Sequence, residues 1–426
     1  MNIESMFGRQ WLLKQHKDTI TKLTTKVKAI DNDICSRCQQ KVRSCLPNGE
    51  KYCRNCIGLG RISENDYLVY FKDNEYFSYA TSEKSYLTWS GSLTSKQKEV
   101  SQALVSSLKN KRDHLVHAVT GAGKTEMLFE VIDAALVSGA RVAIVTPRID
   151  VVNELYPRLS RAFTDIKIGK YHGKEYYEPQ NQQFIICTTH QLLKFYRAFD
   201  LLIIDEVDSF PYVNNPILYA GADRAVKKKG CSFYLTATPD KKLLQRAKEG
   251  KLDYSVLNRR FHGALLPIPQ NQLYFGPFIR HNKINKKLLF TIGQLLKLKK
   301  PLLIFLPRIA ELSEYCALLQ KYYTEICIDS VYAGDKERQE KVQKFRENKI
   351  DILLTTTILE RGVTFPHVQV IVVAADDKIY TTPSLVQIAG RVGRSKDDPQ
   401  GKIIFCYHQY TQNIREANRQ INEMNK

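Results

Sequence analysis

From about residue 92 the chain alternates short runs of Val, Ile and Leu with stretches of helical periodicity. The runs are His114–Val119, Arg141–Thr146, Phe184–Thr188, Leu201–Ile204 and Ser232–Leu235, then Leu302–Leu306, Ile326–Val331, Ile352–Thr355, Val368–Val373 and Ile403–Cys406. Such βα alternation predicts parallel-sheet α/β domains. The two sets of runs flank Pro267-Ile268-Pro269-Gln270 and Gly276-Pro277, turn-forming residues where a linker is expected. Upstream the pattern differs. Residues 57–90 alternate aromatic and polar positions, as in Tyr67–Phe71 and Tyr76–Tyr79, and predict a small antiparallel sheet. Their rings suit core packing more often than base stacking. Residues 1–34 carry apolar Trp11, Leu12 and Leu13 beside Lys14, Lys17, Lys22, Lys26 and Lys28, which predicts a helix with a solvated basic face. The expected division is an N-terminal helical segment at 1–34, a cysteine module with a small sheet at 35–91, a first α/β lobe at 92–266 and a second at 267–426.

A chain of 426 residues is too long for one ordinary core and excludes a single small binding module. With 43% apolar and 25% charged residues it is expected to fold throughout. No apolar run approaches the roughly 18 residues of a membrane span, and the first twenty residues show no leader pattern, so an intracellular protein is expected. The formal charge of +20 is spread along the chain, +5, +7 and +8 for residues 1–96, 97–265 and 266–426. An excess of this kind makes a polyanion, nucleic acid or an acidic membrane surface, the first partner to consider.

Ten cysteines in a long chain argue against a disulfide scaffold. Cys35-Ser-Arg-Cys38 and Cys53-Arg-Asn-Cys56 form two CxxC pairs separated by 14 residues, close to the spacing of a four-thiolate zinc site. Neither pair opens a helix as a thioredoxin-type redox motif would. Cys45 is a spare thiol, and Cys187, Cys231, Cys316, Cys327 and Cys406 read as small buried hydrophobes. The segment between the pairs carries Lys41, Arg43 and Lys51, which suggests docking of DNA or a partner.

Ala118-Val119-Thr120-Gly121-Ala122-Gly123-Lys124-Thr125 follows an apolar strand and precedes an amphipathic helix start. That is the context of a phosphate-binding loop, in which backbone N–H groups surround phosphate oxygens, Lys124 reaches the β- and γ-phosphates and Thr125 offers its hydroxyl to Mg²⁺. Ala118 stands where the general pattern has its first glycine. Leu201–Ile204 ends in Asp205-Glu206-Val207-Asp208, two acids at the carboxyl end of a strand. Ligands of open parallel sheets bind outside those ends, so Asp205 is placed to join the Mg²⁺ shell and Glu206 to polarise a water.

With these motifs the sequence resembles the superfamily-2 helicases and translocases. Leu93-Thr-Ser-Lys-Gln97 is similar to the segment whose glutamine reads adenine. Pro147 and Arg148, with Thr188 and Thr189, resemble first-lobe contacts to a nucleic-acid backbone, and Thr236-Ala-Thr238-Pro239 resembles the motif coupling hydrolysis to lobe movement. In the second lobe Pro307-Arg308 and Thr356 resemble backbone-contacting positions. Glu360-Arg361-Gly362-Val363-Thr364 and Gln387-Ile388-Ala389-Gly390-Arg391-Val392-Gly393-Arg394 match the last motifs. The resemblance implies two tandem RecA-like lobes, ATP and Mg²⁺ as cofactors, Gly362 near the nucleotide, and Arg391 and Arg394 as arginine fingers. Thr364 departs from it, since many relatives have aspartate there, and Asp205–Asp208 is not a literal DEAD or DEAH box.

A four-cysteine module ahead of a minimal motor pair narrows the resemblance to the ComFA family of late-competence ATPases. It implies a Zn²⁺ site, single-stranded DNA as track, and a place at the inner face of the cytoplasmic membrane beside the DNA-uptake channel and the competence proteins ComFC and DprA; it leaves room for an oligomer. Two other readings compete. PriA-like restart helicases share the style of phosphate loop but are longer and carry their zinc segment inside the second lobe. A non-catalytic zinc-bearing DNA adaptor requires lost catalytic residues, yet Lys124, Thr125, Asp205, Glu206, Arg391 and Arg394 are all present.

Overall fold

The computed structural model describes residues 7–14, 23–72, 74–173, 181–395, 397–399 and 401–426. The chain divides into two compact units, Met1–His117 with Lys124–Val256, and Ala118–Gly123 with Leu257–Lys426.

The sheet of the first unit has seven strands. Their order is Ile168–Tyr171, Phe184–Thr188, Val142–Thr146, Phe199–Asp205, Val226–Thr236, His114–Ala118 and Asp253–Leu257. The first six pair in parallel, so their carboxyl ends share one edge. Every residue of Val142–Thr146 and Phe184–Thr188 is buried, which is why these strands read as unbroken apolar runs and not as alternating ones. The helix Ser95–Lys109 starts in a capping box: Thr94 Oγ1 accepts from Gln97 N while Gln97 Oε1 accepts from Thr94 N.

The second unit carries a six-stranded parallel sheet in the order Gln270–Leu273, Ile403–Tyr407, Gln369–Val372, Leu302–Phe305, Ile352–Thr355 and Ile328–Val331. Its core joins Leu302, Ile304, Leu354 and Ile371 to Leu288, Ile292, Leu312 and Leu319 of flanking helices.

Ahead of the two parallel sheets, the described residues of the segment 1–34 depart from the predicted helix. Gln10–Leu13 and Thr24–Lys28 are strands, both pairing antiparallel with Tyr67–Phe71. Lys26 and Lys28 alternate with Val27 at the period of a strand, putting the lysines on one face. Lys17 and Lys22 lie outside the described residues. Tyr67–Phe71 is the expected antiparallel strand, whereas Tyr76 ends a short 3-10 turn, Asn74–Tyr76, and the chain to Tyr79 is irregular, with Tyr79 N donating to Gly139 O at 2.9 Å. Of the cysteines read as buried, Cys327 is exposed and Cys316 half-buried. The cysteine module is not a loose appendage. Cys35, Cys38, Ile30 and Ile62 share one apolar cluster with Ala143, Ile185, Leu202 and Leu218. Gln10 Nε2 donates to Leu193 O at 2.9 Å, and the Arg224 guanidinium donates to Gln10 Oε1 at 3.0 Å and to Arg37 O at 3.3 Å.

Candidate functional site

The phosphate loop begins where the strand His114–Ala118 ends. Gly121 and Gly123 take φ of +79° and +71°, the left-handed region in which glycine is unstrained, so the backbone can fold inward. Gly121 O accepts from Phe261 N at 3.1 Å and Val119 N donates to Leu257 O at 3.0 Å, so the loop's outer side is backed by the chain at 257–261. Ala122 and Thr125 are buried. A 3-10 turn Glu126–Leu128 then leads into the helix Phe129–Val137.

Lys124 Nζ lies 4.0 Å from Asp205 Oδ1, the last residue of the strand Phe199–Asp205. The lysine and the acid thus converge at the edge where parallel strands end, and a carboxylate there with the hydroxyl of Thr125, next in sequence to Lys124, are oxygen ligand types that suit Mg²⁺. Glu206 has φ +56°, a turn that directs the chain away from the sheet immediately after Asp205. Asp208 accepts a short hydrogen bond from Thr238 Oγ1, and Thr238 N donates to Thr236 Oγ1 at 2.9 Å. The acidic turn and the Thr236–Thr238 segment are therefore joined through side chains.

His117, missed in the sequence, sits 3.2 Å from Ala237 O through Nε2 and 3.2 Å from Tyr254 Oη through Nδ1. Burial lowers its pKa, so at neutral pH it is a neutral bridge between the phosphate-loop strand and the Thr236–Thr238 segment. A lone histidine in a strand gives no periodic signal. Gln97 is brought into the capping box, which occupies its carbonyl oxygen; adenine reading rests on the resemblance alone.

In the second unit Arg391 is buried and its Nε donates to Glu360 O at 2.9 Å. Glu360 in turn accepts from Ser384 Oγ. Arg394 donates to Gly390 O at 3.0 Å and to Thr364 Oγ1 at 3.2 Å. The hydroxyl that stands in for the usual aspartate thus still orients Arg394. Gly362 has φ +77°. Arg260 is a second residue the sequence did not single out. It is buried and donates to the carbonyls of Gly390 and Gly393, so it braces the loop that carries both arginines; burial, then Arg394, pushes its pKa down to about 9.

All four cysteines of the CxxC pairs are buried and their sulfurs lie within 4.8 Å of one another. Cys35 Sγ is 3.9 Å from Cys56 Sγ, and Cys38 Sγ is 3.6 Å from Cys53 Sγ. A tetrahedron of thiolates about 2.3 Å from zinc has edges of about 3.8 Å. The cluster fits that ion. Between the pairs, Lys41 and Arg43 are exposed while Lys51 is engaged by Asp33.

Of the proposed strand contacts, Pro147 and Thr188 line one cavity of the first unit, Thr189 is buried beside it, and Arg148 precedes the helix Ile149–Ala162. In the second unit Thr356 is buried at the end of the strand Ile352–Thr355, and Arg308 is held by Glu311 at 2.9 Å and Asp377 at 2.8 Å.

The comparisons agree with this architecture. Residues 90–241 match the family described as type III restriction enzyme, res subunit, and residues 284–396 match the helicase conserved C-terminal domain. Dbp5 of Saccharomyces cerevisiae, solved bound to RNA and ADP BeF3, shares the fold with a TM-score of 0.58 and 17% identity, over 78% of this chain and 87% of that one. The chain is therefore an ATP-hydrolysing, DNA-dependent enzyme of the superfamily-2 helicase class. The competence protein ComFA of Streptococcus pneumoniae is 39% identical over 99% of this chain and 97% of its own length. That of Bacillus subtilis is also 39% identical, over 92% and 85%. The chain belongs to the ComFA family.

Among the described residues no helix is long and apolar enough to cross a membrane.

Proposed function

We propose that the protein is a motor that draws single-stranded DNA inward through the uptake channel during natural competence. On this reading it works at the inner face of the cytoplasmic membrane, beside the channel and proteins such as ComFC and DprA. The observation that carries the reading is the near full-length 39% identity to two competence proteins in a chain that keeps every nucleotide-handling residue. Lys124 and the backbone of Gly121–Gly123 bind the β- and γ-phosphates, Thr125 and Asp205 hold Mg²⁺, and Glu206 polarises the attacking water. Arg391 and Arg394 neutralise charge that develops on the γ-phosphate, with Arg260 bracing their loop. Zn²⁺ on Cys35, Cys38, Cys53 and Cys56 closes its own coordination shell and is structural, with no open position for a reacting water.

Charge that moves with the chain must grip phosphates and ignore sequence, because any strand has to pass. The deciding experiment is the ATPase rate with single-stranded DNA, duplex DNA and RNA. Stimulation by single-stranded DNA, absent in Lys124→Ala, is expected; a rate that no nucleic acid changes would sink the motor.

A further inference from the structure

In the first unit the strand Val226–Thr236 ends on the first residue of Thr236-Ala237-Thr238, and three ties hold that segment. Thr236 stands opposite His117 in the parallel ladder. Thr238 Oγ1 donates to Asp208 of the acidic turn, while Thr238 N donates to Thr236 Oγ1. Between them Ala237 O, one residue beyond the ladder, pairs with His117 Nε2 at 3.2 Å. All three residues of the segment are buried, so each polar group there needs a partner inside the protein.

His117 is the penultimate residue of the strand His114–Ala118, which runs into the phosphate loop. A carbonyl oxygen only accepts, so the proton is assigned to Nε2, and Nδ1 is left to accept from the Tyr254 hydroxyl at 3.2 Å. The ring is therefore pinned at both ends, by the Ala237 carbonyl and by a residue of the strand Asp253–Leu257. Tyr254, Lys124 and Asp208 are the titratable groups that act on it. Burial lowers its pKa and the Ala237 carbonyl works against that; Lys124 lowers it further and Asp208 raises it. One neutral imidazole thus sits within reach of the phosphate-loop lysine, the acidic turn and the Thr236–Thr238 segment.

We propose that His117 is a positioning residue through which the strand leading into the phosphate loop acts on the Thr236–Thr238 segment, so that DNA-stimulated hydrolysis depends on its imidazole. The proposal rests on the motor reading and deepens it, because it names the side chain that joins the nucleotide-binding strand to the segment resembling a coupling motif. When the loop closes on phosphates, a shift of the strand end moves the ring, and the ring moves the Ala237 carbonyl. Thr238 passes the movement to Asp208, two residues from Glu206. The ladder stops at Thr236, so without this side chain the movement reaches Ala237 only along the backbone. A histidine that merely filled space would affect stability and leave the response to DNA as it was.

The test measures, on the full chain, ATP turnover with and without oligo-dT, the KM for ATP and the anisotropy of labelled oligo-dT. His117→Leu keeps an apolar volume and removes both hydrogen bonds. Its ratio of stimulated to unstimulated turnover should fall about three- to tenfold, while the KM for ATP and the affinity for oligo-dT each change by less than about threefold. His117→Gln, whose amide can donate to Ala237 O and accept from Tyr254, should recover the ratio to within about twofold. Tyr254→Phe, at a side chain 44% exposed, releases Nδ1 alone and should cost about twofold. A parent-like ratio in His117→Leu, with or without a lower melting temperature, would overturn the proposal and leave the motor standing. Equal losses in His117→Leu and His117→Gln would overturn it too, since the hydrogen bond would then not be what matters. Should His117→Leu fail to fold, Tyr254→Phe decides, and an unchanged ratio there overturns the proposal. A parent that no strand stimulates would remove the motor reading and this one together.

Discussion

The two units carry cavities at comparable places in their sheets, and their charge is opposite. In the first, Arg9, Arg37 and Lys194 line a cavity of about 870 Å³ that no carboxylate lines among the described residues. In the second, Arg308 shares a smaller cavity of about 450 Å³ with Glu311, Glu314, Asp376 and Asp377. Two lobes of the same ancestry in fold therefore differ in what they offer a polyanion. The second places the buried Arg391 and the half-buried Arg394 on a braced loop and surrounds the exposed Arg308 with acids. If the first unit holds the strand and the second completes the hydrolytic site, variants in the two units should separate affinity from turnover.

The largest effect belongs to the second unit. Arg391→Ala should lower DNA-stimulated turnover by about 10³-fold, the low end for an arginine finger, while leaving the affinity for oligo-dT in place. Single-turnover hydrolysis and anisotropy measured on one preparation separate the two. A comparable fall in strand affinity would show that the second unit grips as well as triggers, and the comparison would fail.

Next comes the wall of the first unit's cavity. Zinc removal, or Cys53→Ser with Cys56→Ser, should unfold the knuckle, since a segment this short has too little core without its metal. Because Cys35 and Cys38 share an apolar cluster with Leu202 and Leu218, loss of the ion should also lower the melting temperature of the first unit. Affinity for single strands should fall as well, through the docking role that exposed Lys41 and Arg43 suggest. Elemental analysis of freshly purified reduced protein should find one zinc per chain. A metal-free variant that binds DNA normally would detach the module from the track.

How much of this was legible depends on the range over which each feature is encoded. The strands of both parallel sheets are contiguous apolar runs, and Gly121–Thr125 and Asp205-Glu206 sit at or within about eight residues of a strand end, so pattern and spacing expose them. Gln10–Leu13 and Thr24–Lys28 are different: their pairing partner, Tyr67–Phe71, is some forty to sixty residues away, and alternating lysines in a short strand resemble a solvated helix face. Arg260 and Arg9 are single arginines whose roles come from distant carbonyls and rings. No local pattern announces them. Thr364 was visible only as a departure, and its hydrogen bond with Arg394 explains why the departure is tolerated.

A third prediction concerns acid. His114, on the phosphate-loop strand, is buried with Nδ1 2.8 Å from Ser107 Oγ and Nε2 2.9 Å from Ser255 Oγ, and burial pushes its pKa down to about 4. Ser107 donates to Asp253 Oδ2 at 2.6 Å, so its oxygen accepts from His114 Nδ1–H, and the lowered pKa leaves the ring neutral at pH 7 with Nε2 accepting from Ser255 Oγ. The unfolded chain takes up this proton near pH 6.5 and the folded one only near pH 4, so between those values the unfolded state binds more protons. Stability is therefore full above about 6.5 and falls as the pH drops toward 4. His114→Gln should flatten that part of the pH–melting curve for the first unit. An unchanged slope would show that His114 is already protonated in the native protein.

The smallest effect tests the acidic side of the comparison. The exposed Arg308 is held first by Glu311 and then by Asp377, and both raise its pKa. An arginine so engaged has to exchange two carboxylates for one phosphate, and exposed pairs of this kind trade at nearly even free energy. Arg308→Ala should accordingly change affinity for oligo-dT by less than about threefold, although the resemblance assigns the position to the backbone track. Removing its competitors is the sharper test. Glu311→Gln with Asp377→Asn withdraws two negative charges from the cavity and frees the guanidinium, so affinity should rise by about two- to threefold, with a slightly steeper dependence on salt as one more phosphate is neutralised. A large loss in Arg308→Ala would mean that the strand displaces both acids when it binds, and the second unit would then be a grip held closed by its own carboxylates until DNA arrives.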